Sequence, residues 1–104
     1  MNSSIPKEVK EYFEKGSKKV IKVWTQKPYT LFAEFDDGII KLSDLTNDLT
    51  GIMEVLKDYS IFKSVAIDEN GSIAWNTSNG LIDISKDNIY IYGKTLRTAK
   101  TPLK

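Results

Sequence analysis

The first apolar residues of the chain are three or four positions apart, a spacing typical of an amphipathic helix. These residues are Ile5, Val9, Tyr12 and Phe13. Ser3 or Ser4 can cap such a helix, and Pro6 suits its first turn. Gly16 suits the left-handed residue that ends it. We therefore predict an N-terminal helix over about residues 5–15.

The pattern then changes to β-branched and aromatic residues. Residues 18–26 (KKVIKVWTQ) and 29–35 (YTLFAEF) are both rich in them and predict two strands. Asp36-Asp37-Gly38 follows directly, and Asp and Gly tolerate the positive φ angles of a tight hairpin. Residues 39–42 continue as a third strand, which makes a meander.

A second helical pattern follows the meander. Apolar residues recur at three- and four-residue intervals at Leu45, Leu49, Ile52, Met53 and Leu56. With Ser43 as N-cap, they predict a helix that ends near Asp58. Gly51 lies inside it and costs up to about 1 kcal/mol relative to alanine, so the helix can bend or break into two pieces there.

The remaining third of the chain looks like a series of short strands. Residues 62–68 and 72–76 form a predicted hairpin around Asn70-Gly71, and Asn79-Gly80 marks a further turn. Residues 81–85 and 88–93 alternate in the way of strands, whereas the basic tail, 94–104, is polar and predicted to fray.

The resulting element order is α-β-β-β-α-β-β-β. It lacks regular βαβ alternation and so favours an α+β class with a small, mostly antiparallel twisted sheet. One helix lies between the two hairpins, and the N-terminal helix is an extra element. The length of 104 residues predicts a single domain over residues 1–104.

Strand alternation predicts two apolar faces on the meander. Leu31, Ala33 and Phe35 share one face of the second strand, while Thr30, Phe32 and Glu34 share the other. A second, partly apolar face is then predicted from Trp24, Phe32 and Ile39. Because such a patch seldom stays bare on a monomer, we expect the N-terminal helix or a partner subunit to cover it.

Composition narrows the chemistry. Histidine and cysteine are both absent, which removes imidazole bases, thiolate nucleophiles and the common zinc, haem and iron–sulfur ligands. We therefore predict a protein that is not an enzyme, with no cofactor and no metal. No apolar run approaches the ~20 residues that span a bilayer, and no leader pattern is present, so we expect no membrane association and a cytoplasmic location.

Acidic residues offer one alternative to a protein without a metal or catalytic group. Asp36, Asp37, Asp83 and Asp87 can be read as a carboxylate cluster for Mg²⁺ or acid–base work. However, Asp-Asp-Gly is turn chemistry first, and Asp83 can brace the last loop by accepting from backbone amides. We therefore expect these aspartates to stabilise turns and loops and not to bind a metal.

Aromatic and basic residues offer another. Trp75 alternates with Ile73 on what should be a buried face, which favours the core over a binding role, whereas either role suits Trp24. The net charge is only +1, but lysines gather near Trp24 and in the tail. Basic residues interleaved with an aromatic can follow a phosphate backbone, although lysines at strand edges also prevent aggregation. These residues are Lys18, Lys19, Lys22, Lys27, Lys94, Arg97, Lys100 and Lys104.

A family resemblance covers roughly residues 18–92. Its pattern is a valine-rich strand, an aromatic-x-Leu strand running into Phe-x-Asp-Gly, a helix, Phe-x-x-Val, a Trp, and a final Asp followed by a Tyr. The matching positions are Val20, Val23, Tyr29, Leu31, Phe35, Asp36, Asp37, Gly38, Leu42, Phe62, Val65, Trp75, Asn79, Gly80, Ile82, Asp83, Ile84, Ile89 and Tyr90. In these the chain resembles the bacterial family called domain of unknown function 2442. Asn76 stands where that family often has proline, and the N-terminal helix and basic tail lie outside the family core.

The resemblance implies an α+β fold without an established activity. Members are often encoded beside toxin-like proteins or joined to helix-turn-helix domains, which suggests a regulatory or antitoxin-like role. Residues after 92 leave no room for a helix-turn-helix here, so we do not expect operator binding by that route.

We therefore predict a non-catalytic module that binds another protein or a second copy of itself. Its candidate binding residues are Trp24, Phe32, Ile39 and Lys22, and its candidate structural motif is Asp37, Gly38, Trp75, Asp83 and Tyr90. The alternative is a nucleic-acid-binding accessory domain that uses the lysine-rich first strand and the tail. Lysines on one face around Trp24 would favour nucleic acid, whereas an apolar patch ringed by mixed charge would favour protein.

Overall fold

The computed structural model describes residues 7–14 and 16–97. Within them lie three α-helices, one 3-10 helix (Gly51–Lys57) and seven strands. The α-helices are α1 (Lys7–Glu14), α2 (Tyr59–Phe62) and α3 (Lys86–Tyr92). The strands are β1 (Val20–Gln26), β2 (Thr30–Phe35), β3 (Ile40–Asp44), β4 (Ala66–Ile67), β5 (Ile73–Thr77), β6 (Gly80–Ile84) and β7 (Lys94–Arg97). None of the helices in the described ranges is a candidate membrane span.

The strands form two antiparallel sheets, which confirms the α+β class. One sheet has the order β1-β2-β3-β7 and the other the order β4-β5-β6, so the single sheet expected from the sequence is divided in two. The sheets meet where β1 begins, since the Val20 amide donates to the Gly71 carbonyl at 3.0 Å. The Lys19 carbonyl accepts from the Asp36 amide at 2.8 Å. This bond joins the turn between β2 and β3 to the same junction.

A single hydrophobic core lies between the two sheets. β2 supplies one side of it through alternate residues, as its pattern predicted, while β5 supplies the other through consecutive ones. The fully buried side chains are Leu31, Ala33, Phe35, Leu49, Leu56, Phe62, Ile73 and Trp75. The Trp75 indole N–H donates to the Phe62 carbonyl at 2.7 Å, so its one polar atom is satisfied. The core role predicted for Trp75 is confirmed.

The predicted hairpin turn at residues 36–38 is present. Gly38 has a φ of 91°, in the left-handed region that favours glycine. The Asp37 carboxylate accepts from the Ile39 amide at 3.0 Å, which closes an Asx turn. The turn uses only Oδ1 of Asp37, so Oδ2 can accept a hydrogen bond from another element.

The predicted helix from Ser43 to Asp58 is wrong. Ser43 belongs to β3, and the helical part is the 3-10 helix, which starts at Gly51 with a φ of 61°. A positive φ cannot occur inside a right-handed α-helix, so the break that Gly51 allowed becomes a complete interruption. The apolar spacing nevertheless marked buried positions, because Leu45, Leu49 and Leu56 all lie in the core.

The first strand of the second hairpin is shorter than predicted. Phe62 ends α2, and only Ala66 and Ile67 pair with β5. Asp58, where the earlier helix was expected to end, instead caps α2 by accepting from the Ser60 amide at 3.0 Å. Residues 63–65, which were predicted to begin the strand, are thus turn and loop.

The strand predicted over residues 88–93 is wrong, because residues 88–92 belong to α3 and Gly93 follows as its C-cap. Ser85 caps α3 by accepting from the Asn88 amide at 3.1 Å, and Asp87 lies in the first turn. After Gly93 the chain forms β7, which pairs with β3, so residues 94–97 of the tail are ordered as a strand and do not fray. Lys100 and Lys104 lie outside the described residues.

α1 ends within the predicted range, with Gly16 at a φ of 96°. Its buried residue is Tyr12, whose ring centroid lies 4.8 Å from that of Tyr90 in α3. Phe13 is 54% exposed. The capping serines, Pro6, Ile5 and the side chain of Val9 lie outside the described residues. α1 therefore rests on α3, on the core side of the four-stranded sheet.

Candidate protein-binding face

The side of the four-stranded sheet that points away from the core carries four large apolar residues. We call this side the outer face. The register aligns Trp24 of β1 with Phe32 of β2, and Phe32 with Leu42 of β3. Ile40 lies two residues before Leu42, opposite Glu34. All four side chains are partly exposed, in contrast to Leu31, Ala33 and Phe35 on the other side of β2.

Two aromatic rings form the centre of the outer face. The rings of Trp24 and Phe32 stack with centroids 5.3 Å apart and an angle of 3° between their planes. The Lys22 ammonium lies 5.5 Å from the Trp24 ring centroid, within cation–π range. These contacts hold the two rings in place, which reduces the entropy lost when a partner packs on them.

Charges of both signs surround the apolar residues. Arg97 of β7 forms an ion pair with Glu34 at 3.1 Å and also donates to the Gly38 carbonyl at 3.3 Å. Lys94 lies beside Leu42 in the register, and Asp44 lies at the other end of β3. The outer face is thus an apolar patch with a mixed-charge rim.

Ile39 does not belong to this face, which corrects the prediction. Ile40 pairs with Glu34, so Ile39 and Lys41 point to the core side of the sheet. The alternation in β1 is also interrupted, because the register shifts between Val20 and Lys22. This bulge leaves Ile21 57% exposed and lets Val20 enter the core, although strict alternation placed Val20 with Trp24.

The expected cover by the N-terminal helix is also wrong for the described residues. α1 contacts α3, whose Tyr90 packs edge-on against Phe35 at 4.9 Å between ring centroids. Phe35 is on the core side of β2, so α1 and the outer face are on opposite sides of the sheet.

The lysines near Trp24 in sequence are dispersed in space. Only Lys22 reaches the Trp24 ring, whereas Lys27 lies 5.4 Å from the centroid of Tyr59 at the far end of β1. Lys19 packs against Gly71 at the junction of the two sheets. These three ammonium groups therefore do not form one continuous basic track.

The predicted structural motif is brought together in part. Tyr90 of α3 donates its hydroxyl to Asp37 Oδ2 at 2.5 Å, which links the last helix to the hairpin turn beside Gly38. Lys41 lies 5.5 Å from the Tyr90 ring centroid. Burial and the hydrogen bond to Asp37 raise the pKa of Tyr90 above its ordinary value, so the hydroxyl stays protonated and continues to donate.

The other carboxylates do not join Asp37. The Asp83 side chain is exposed on β6, and its carboxylate accepts no hydrogen bond from residues 7–14 or 16–97. The predicted bracing role of Asp83 is therefore wrong, and Ser85 caps the last helix instead. In the same ranges no three acidic side chains come together in a way that suits a metal ion. Trp75, fully buried, also takes no part in a surface site.

Asp87 has a role that the sequence did not reveal. Its Oδ1 accepts from the hydroxyl of Tyr12, from Ser17 at 2.7 Å and from the Lys86 ammonium at 3.2 Å. Burial acts to raise the pKa of Asp87, but these hydrogen bonds outweigh it and hold the pKa below its usual range. Asp87 therefore fastens α1 to α3.

We expect Asp87→Asn to lower the free energy of unfolding by about 1 kcal/mol near pH 7, because charge-assisted hydrogen bonds are lost. A depressed carboxyl pKa stabilises the fold above the unfolded value of about 3.9, and this contribution is lost as the pH falls through the folded value. The difference between the variant and the parent should therefore shrink in acid. Urea titrations near pH 7 and near pH 2.5 measure this difference in the free energy of unfolding. Asp83→Asn, at an exposed carboxylate, is the control. An equal difference at both pH values contradicts the assignment.

Comparison with protein-family models, with curated proteins and with solved structures finds no match for this chain.

Proposed function

We propose that this protein is a non-catalytic binding module that recognises another protein through its outer face. The stacked Trp24–Phe32 pair at the centre of that face is the observation that carries the proposal. Aromatic residues at the centre of an apolar patch, with polar residues around them, are typical of the residues that contribute most to protein interfaces. Leu42 and Ile40 extend the patch along β3.

The charges around the patch support a protein partner over nucleic acid. Arg97 is already neutralised by Glu34, and Lys27 and Lys19 lie away from the aromatic pair. Affinity for a phosphate backbone needs several free cations along one path, which a mixed rim does not supply. The observation that favours nucleic acid as a second candidate is Lys22 above Trp24, since a base stacks on such a ring.

A regulatory role, such as that of an antitoxin in the cytoplasm, is the biological setting that we propose. It rests on the resemblance of residues 18–92 to the bacterial family named above. An antitoxin acts by binding, and it needs no catalytic group of its own. A homodimer through the outer face is the closest variant of this proposal.

The test compares the parent chain with the double variant Trp24→Ala, Phe32→Ala. The tagged full chain is expressed in its cell of origin, and co-purified protein and nucleic acid are both quantified. We expect the double variant to retain at least tenfold less of a specific partner protein, because central aromatic residues contribute about 2 kcal/mol or more each. Light scattering on the purified chain detects the homodimer.

Leu81→Ala is the matched control, since Leu81 is 65% exposed but lies on β6, away from the outer face. It should retain the partner in full. Equal recovery with the double variant contradicts the proposal. If nucleic acid is recovered instead, if its recovery falls steeply with salt, and if Lys22→Glu abolishes it, the protein is a nucleic-acid-binding domain, which is the second candidate.

A further inference from the structure

A cleft of about 640 Å³ opens beside the outer face. It lies where β7 begins, between the end of β3, the 3-10 helix and the C-terminal half of α3. Leu42, Asp44 and Lys94 line it, and the register places the same three residues on the outer face or its rim. The patch and the cleft are therefore continuous along β3. The volume is in the range of natural ligand sites, about 300–1,000 Å³.

The wall of the cleft is mainly apolar. Leu45 and Ile89 belong to the core and form its base, while Met53, Ile84 and Tyr92 line the sides. Tyr92 is 63% exposed although its ring borders this hollow. Transfer of a bulky apolar side chain from water into such a cleft is favourable, because it removes apolar surface from water on both sides of the contact.

The rim of the cleft is acidic on the side of the loop after β3. Asp48 is exposed, and its carboxylate accepts no hydrogen bond from the described residues. Asp44 is close by along the chain, and hydrogen bonds from the side chain and amide of Thr46 lower its pKa, so it stays charged. Lys94 is the one basic group in the lining. The rim thus has a net negative charge, and the Asp48 carboxylate is exposed to solvent where a cation can reach it.

We propose that this cleft anchors the protein partner of the outer face by taking one bulky apolar side chain that is flanked by lysine or arginine. The inference rests on the proposed function and specifies the partner. The apolar side chain occupies the space between Met53 and Tyr92, and the flanking cation pairs with Asp48. The rest of the partner then lies along Leu42 towards the Trp24–Phe32 pair.

The experiment uses two acetylated and amidated hexapeptides as probes. One is Gly-Lys-Leu-Leu-Lys-Gly, and the other has glutamate in place of both lysines. Each is titrated into the ¹⁵N-labelled full chain. We expect the basic peptide to shift the amide resonances of Asp48, Asn88 and Gly93, which border the cleft, and the acidic peptide to bind at least tenfold more weakly.

Two variants test the charge. Asp48→Lys should weaken the basic peptide about fivefold, since an attraction becomes a repulsion. Glu69→Lys makes the same change of charge on the exposed turn between β4 and β5 and should leave the affinity unchanged. Tyr92→Ser, which removes part of the wall without changing charge, should also weaken binding. The ¹H–¹⁵N spectrum of each variant shows whether it is folded.

The outcomes separate this inference from the proposed function. Shifts that lie outside the cleft, equal binding of the two peptides, or equal effects of Asp48→Lys and Glu69→Lys each overturn the cleft assignment. They leave the outer face untouched if Trp24→Ala, Phe32→Ala still releases the partner. Conversely, peptide binding in the cleft together with an unaffected partner in that double variant supports the cleft and contradicts the role of the outer face.

Discussion

Replacing Trp75 with alanine is expected to cost about 4 kcal/mol of unfolding free energy, a large fraction of the roughly 5–15 kcal/mol that is typical of a small domain. The indole is completely buried, and its ring stacks on Phe62 with centroids 5.8 Å apart. Truncation leaves a cavity in the centre of the core and also removes the donor to the Phe62 carbonyl. The ring stack and the hydrogen bond that join β5 to α2 are both lost.

Urea unfolding followed by circular dichroism measures this cost. Trp75→Phe keeps most of the ring and should lose only about 1–2 kcal/mol, chiefly through the missing hydrogen bond and a smaller void. Trp24→Ala is the matched tryptophan control on the outer face and should lose less than Trp75→Ala, because Trp24 is partly exposed. Equal costs for Trp75→Ala and Trp24→Ala would contradict the core assignment.

The second large effect is expected for Gly93→Ala, with a loss of about 2–3 kcal/mol from overpacking. A Cβ at Gly93 would lie 2.5 Å from the Ile89 carbonyl oxygen and 3.2 Å from that of Leu42. Both atoms are backbone, so the clash can be relieved only by moving the end of α3 or the start of β7. The Ser43 hydroxyl, at 3.3 Å, closes the remaining space.

The backbone of Gly93 makes this result diagnostic. Its φ of −69° is one that any residue adopts, so without the clash alanine would stabilise the fold slightly. Gly80 is the reverse case, with a φ of 115° but open space around it, and Gly80→Ala should cost only about 1 kcal/mol through strain. Thermal unfolding of the two variants compares them. A neutral or stabilising Gly93→Ala would show that α3 and β3 are less closely packed.

The meander and its turn were predictable from the sequence, because their signals are local. Alternation in β2 and the Asp-Gly turn determine which residues are buried without reference to distant elements. Residues 43–58 and 88–93 were not predictable in the same way. In residues 43–58, a loop followed by a 3-10 helix buries the same three- and four-residue apolar spacing as an α-helix. In residues 88–93, a helix of only two turns that is rich in Ile and Tyr has the composition of a strand.

The candidate site was predictable in part. Trp24 and Phe32 follow from alternation, but Ile39 was chosen in place of Ile40 because the turn length shifts the register by one residue, and a one-residue slip exchanges the two faces. The role of Asp87 depends on Tyr12, which is remote in sequence, and no local pattern indicates that contact. The cleft likewise forms only where β3, the 3-10 helix and α3 pack together, and no single segment of the sequence predicts that packing.

The pairing of β7 with β3 has a consequence for the nascent chain. β3 leaves the ribosome well before Lys94–Arg97, because the 3-10 helix, α2, the second sheet and α3 all lie between them in the chain. At about 5–20 residues per second the hydrogen-bonding edge of β3 stays open for roughly 3 to 10 s. During that interval β3, which carries Ile40 and Leu42, is an edge strand paired only with β2, and an open apolar edge promotes edge-to-edge aggregation. Synthesis of Lys94–Arg97 thus ends the period in which this edge is open to other chains.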